Sequence, residues 1–62
     1  MAARGEILVE FVAIGNTVKV TAIDTASGTE ASIIGPTGAP QATLKAAVLR
    51  KLDYVLKRRS GV

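Results

Sequence analysis

Few side chains in this sequence have any capacity for chemistry. Ser27, Ser32 and Ser60 carry hydroxyls, Glu6 and Glu10 share one parity of an extended stretch, and six basic residues crowd the last third of the chain, with no Cys or His beside them. A serine nucleophile therefore has no imidazole to take its proton, and thiol chemistry and Cys/His zinc sites are excluded. A nucleophilic lysine needs a desolvated pocket, which 62 residues can hardly enclose. Glu6 and Glu10 stand about 13 Å apart at roughly 3.3 Å per strand residue, too far for a glycosidase-type pair. These missing parts predict a chain that is not an enzyme and uses no cofactor or metal.

Two features invite a binding reading. Gly35-Pro36-Thr37-Gly38 precedes a helical pattern and could offer backbone N–H groups to a phosphate. However, Pro36 and Pro40 remove two donors and no Lys follows the second Gly, so a plain strand-to-helix connector is the better account. The other feature is charge. Residues 1–40 hold Arg4 and Lys19 against Glu6, Glu10, Asp24 and Glu30, a balance of −2, while residues 41–62 hold six basic residues against Asp53, a balance of +5. Arg50, Lys57 and Arg58 form a candidate basic patch for nucleic-acid phosphates, against the plainer reading of a solvated helix face.

The elements that position these residues follow from periodicity. Residues 6–14 read as a β-strand, with Ile7, Val9, Phe11 and Ala13 on one parity. Gly15-Asn16 is a two-residue hairpin turn, and residues 17–24 resume the alternation. Pairing Ile14 with Thr17 places Phe11 against Val20 and Val9 against Ala22, which makes one face almost uniformly apolar. Asp24 to Gly28 is a turn cluster, and a four-residue loop there sets residues 29–34 as a third strand, with Ala31 and Ile33 beside Ala22 and Val20.

A helix is expected over about residues 40–59, with Pro40 at its first position and Ser60-Gly61 closing it. At 100° per residue, Leu44, Val48, Leu49, Leu52, Val55 and Leu56 fall within one arc of about 140°, suited to lying on a sheet. The whole chain thus reads as one α+β domain, a three-stranded antiparallel β-meander followed by a C-terminal amphipathic α-helix packed on one face (βββα).

The run Glu10-Phe-Val-Ala-Ile-Gly-Asn-Thr-Val-Lys-Val-Thr-Ala-Ile-Asp24, with Gly28-Thr-Glu30, Ile34-Gly-Pro36 and Leu49-Arg-Lys-Leu-Asp-Tyr-Val-Leu56, resembles a family of short uncharacterised bacterial proteins over nearly its whole length. That resemblance implies a standalone cytosolic protein and transfers no functional residue. The βββα order also resembles the end of the double-stranded RNA-binding domain. Its first helix has no counterpart here, and Lys45 alone stands where that module clusters lysines, so two of its three RNA-contact regions are absent.

A domain this short buries only about 60% of its unfolded surface, and without disulfides or metals self-association is the leading remedy. The back face of the sheet keeps Leu8, Val12, Ile14 and Ile23 uncovered, with Ile34 a further candidate. These residues form the candidate interface of a homodimer or of a small subunit on an unknown protein partner; the alternative is RNA binding through the basic helix. No run approaches the roughly 18 apolar residues of a membrane span, and a cytoplasmic location without membrane contact is expected.

Overall fold

A computed structural model of the chain describes residues 6–59. Strands β1 (Ile7–Ile14), β2 (Thr17–Asp24) and β3 (Thr29–Pro36) lie side by side in chain order as an antiparallel meander, and α1 (Gln41–Arg59) follows. The expected helix stop at Ser60-Gly61 and the side chain of Arg59 lie outside the described residues.

The registers are those the alternation predicts. Ile14 pairs with Thr17, Phe11 with Val20 and Val9 with Ala22, while Ala31 and Ile33 stand against Ala22 and Val20. Gly15 takes φ of 59° and Asn16 does not adopt a positive φ, which makes the first hairpin a type II′ turn whose twist matches its strands. The second loop is closed by Asp24 and Thr29: the Gly28 amide donates to the Asp24 carbonyl at 2.8 Å, and Ser27 Oγ lies 2.8 Å from both Asp24 Oδ2 and Thr29 Oγ1. Gly28 at φ 75° supplies the left-handed residue that returns the chain to β3.

Two boundaries differ from expectation. β3 continues two residues beyond Ile34, because the Thr37 amide donates to the Asn16 carbonyl at 3.1 Å and extends the ladder past Gly35 and Pro36. Pro40 stands just before the helix, where its carbonyl accepts from the amides of Thr43 and Leu44 at 3.1 and 3.2 Å, the position of a cap residue.

The core is a thin seam between α1 and the inner part of the sheet. Val20, Ala22, Ala31, Leu44, Val48 and Leu52 are its buried apolar residues, with Val9, Phe11, Val18, Ile33, Leu49, Val55 and Leu56 half-buried around them. α1 packs along β3 and, less extensively, β2. Gly35 permits this approach, since a Cβ built there would stand 2.6 Å from Leu44 Cδ2. With the helix anchored over β3, β1 contributes no fully buried residue among those described.

Candidate functional site

The displaced helix leaves β1 with apolar side chains on both of its faces. On the helix side Val9 and Phe11 are half-covered, and Ile7 and Ala13 are exposed. On the far side Leu8, Val12 and Ile14 are 48, 50 and 60% exposed, and they continue across the sheet to Ile34 on β3, at 70%. Of the residues expected to line an interface, Leu8, Val12 and Ile14 are open to solvent. Ile23 is half-buried, because on the central strand it is flanked by Leu8 and Glu30. The far face is mixed rather than continuously apolar: Glu10, Thr21 and Ser32 cross its middle, the last two joined by a 3.0 Å hydroxyl hydrogen bond, and Lys19 sits between Val12 and Ile34.

The two edges of the sheet are treated differently. Antiparallel ladders alternate residues that bond their neighbour with residues that point away. The Glu6 carbonyl accepts the Thr25 amide at 3.0 Å, and the Asn16 carbonyl accepts the Thr37 amide, which sets the phase of both ladders. Hence Glu30, Ser32, Ile34 and Pro36 turn their backbone groups out along β3, and Ile7, Val9, Phe11 and Ala13 do so along β1. The β3 edge is partly blunted: Lys51 Nζ donates to the Ser32 carbonyl at 2.8 Å, and Pro36 has no N–H to offer. The β1 edge carries neither Lys nor Pro, and no described side chain bonds to its outward groups.

Arg50, Lys57 and Arg58 occupy the outer side of α1, and two of the three have partners. Lys57 Nζ is 3.1 Å from Asp53 Oδ2 one turn back, and Arg58 donates to the Tyr54 hydroxyl at 2.9 Å with its guanidinium 5.6 Å from the ring centroid. Arg50 borders a shallow depression with Ala42, Thr43, Ala46 and Ala47. The positive charge is therefore spread and partly neutralised. Among the described residues no three of His, Cys, Asp or Glu converge in a way that could hold a metal ion, and no helix is long and apolar enough to cross a membrane.

Gly35 is the positional residue that pattern reading missed. In sequence it reads as part of a Gly-Pro connector, and only its odd parity on an extended β3 hints that it faces the helix.

A family model described as a domain of unknown function, DUF6898, matches residues 4–59. The chain belongs to this family. The match spans all four elements, in keeping with a short family whose members carry no assigned activity. No curated protein and no solved structure shows significant similarity to the chain.

Proposed function

We propose that this DUF6898 protein is a non-enzymatic interaction protein, acting as a homodimer or as a small subunit seated on a larger assembly. One observation carries the reading: β1 is apolar on both faces and has an uncapped backbone edge, although it lies at the margin of the sheet. Strands that are hydrophobic throughout belong in sheet interiors, covered on both sides. Two of the serine hydroxyls are committed to structure, Ser27 in the β2-β3 loop and Ser32 against Thr21. A cytoplasmic location accords with the cysteine-free composition.

RNA binding through α1 is the second reading, supported by the +5 balance of residues 41–62. The Asp53 and Tyr54 contacts and the engagement of Lys51 with β3 weigh against it.

Recovery of a tagged chain from its own cells tests the proposal. An untagged copy or one stoichiometric protein should co-purify through a high-salt wash, because apolar contacts survive ionic strength. Recovery of RNA alone, released as salt rises, would overturn it in favour of the second reading.

A further inference from the structure

We propose that β1 pairs antiparallel with β1 of a second copy of this chain about a two-fold axis, Phe11 opposite Phe11, to make a six-stranded sheet ordered β3-β2-β1-β1-β2-β3. The inference rests on the interaction reading above and names its partner.

Self-pairing meets three separate demands of the structure. Every residue of β1 except Glu10 is apolar, whereas β2 and β3 mix in polar and charged residues. β1 therefore has the character of a central strand, and a strand added along its open edge makes it one. Next, the outward N–H and C=O groups of Val9, Phe11 and Ala13 form an antiparallel ladder with their own symmetry copies: Phe11 with Phe11, and Val9 with Ala13 twice, about six hydrogen bonds in all. Finally, the assembly closes. Its outer strands are both β3, each blunted by Lys51 on the Ser32 carbonyl and by Pro36, so the two-fold pair buries both β1 edges and leaves only the less receptive β3 edges outside.

Charge selects the register. Centring the pair on Glu10 would place the two Glu10 carboxylates directly opposite one another. Moving the axis by one residue, to Phe11, sets Glu10 against Val12 of the other copy, in the same cross-strand row as Lys19 of that copy, because Val12 and Lys19 are paired within each chain. Leu8 then meets Ile14, two exposed apolar residues, and the half-covered Phe11 rings come together on the helix side. Centring on Val9 instead sets Glu10 beside Leu8, whose row runs on through Ile23 to Glu30 and holds no cation.

Sedimentation of the full chain at micromolar concentration, with far-UV circular dichroism to confirm folding, tests the pairing. The wild type should sediment as a dimer. Val9→Pro removes an outward N–H and no bond within the sheet, so it should leave the fold intact and raise the dimer Kd by about tenfold or more. Should Val9→Pro fail to fold, a cysteine pair decides the matter: Glu10→Cys and Val12→Cys, both exposed in an otherwise cysteine-free chain, should when mixed form the heterodisulfide in preference to either homodisulfide. Preferential Glu10→Cys homodisulfide would overturn the register. A wild-type dimer that resists Val9→Pro but splits when Val12 and Ile34 are both replaced by Lys would show face-to-face packing; it would overturn edge pairing while leaving the interaction reading in place. A folded, strictly monomeric wild type would overturn the inference, and the interaction reading would then stand or fall on a stoichiometric heterologous partner.

Discussion

Phe11 is the one phenylalanine of the chain, and by size it looks like the residue on which the core turns. The structure gives that place to Val20, Val48 and Leu52, with Phe11 half-covered at the margin. Leu52→Ala should therefore cost about 2 to 5 kcal/mol, as deletions at fully buried sites do, and leave so small a domain largely unfolded by thermal melting. Phe11→Ala should cost less, about 1 to 3 kcal/mol, since only part of its surface leaves water on folding. If Phe11→Ala is the more damaging at concentrations where the chain is a monomer, the helix does not lie over β3 and β2. Gly35→Ala pushes a methyl against Leu44 in a filled site and should lower stability by about 1 to 3 kcal/mol, a loss that Leu44→Val in the same chain partly restores because the shorter side chain makes room. Parity and residue size are visible in a sequence; which glycine meets a side chain from another element is not, because that depends on the docking of α1.

At the scale of elements the meander was legible almost residue by residue. A period of two fixes which side chains share a face, and the Gly15-Asn16 turn then fixes the phase of the first hairpin. The apolar stripe of α1 was legible for the same reason, and Leu44, Val48 and Leu52 do face the sheet. Lateral position was not, since a stripe says which side of a helix is buried but not which strands it covers. That unread displacement toward β3 is what leaves β1 half-dressed and creates the candidate surface. The same ladder phase makes a prediction for β1 itself. Proline at Val12, whose N–H bonds into β2, should collapse the hairpin and with it the circular dichroism of the domain, while proline at Val9 should not. Equal damage at both positions would mean that the ladder phase is wrong.

For the molecule as a whole, the distribution of charge and of apolar surface point to different partners, and ionic strength separates them. Replacement of Arg50, Lys57 and Arg58 by Glu should abolish retention on RNA if α1 binds phosphates, yet leave the sedimentation of the chain unchanged if β1 is the contact surface. A wild type that RNA does not retain even at low salt would remove the second reading. The absence of β1 from the buried core has a further consequence, in the order in which the fold opens. β2, β3 and α1 hold every fully buried apolar residue among those described, and β1 only borders them through Val9 and Phe11, so β1 should peel away at less cost than the rest and its amides should exchange with solvent through a smaller, separate opening. Within β1 the amides of Leu8, Glu10 and Val12 bond to β2, whereas those of Val9, Phe11 and Ala13 have only water in a lone chain. Protection of this second set should therefore appear and vanish with protein concentration, while that of Val20 and Val48 persists in the lone chain and only deepens as association stabilises the whole fold, so that hydrogen exchange at Phe11 reads how many copies of the chain share a sheet.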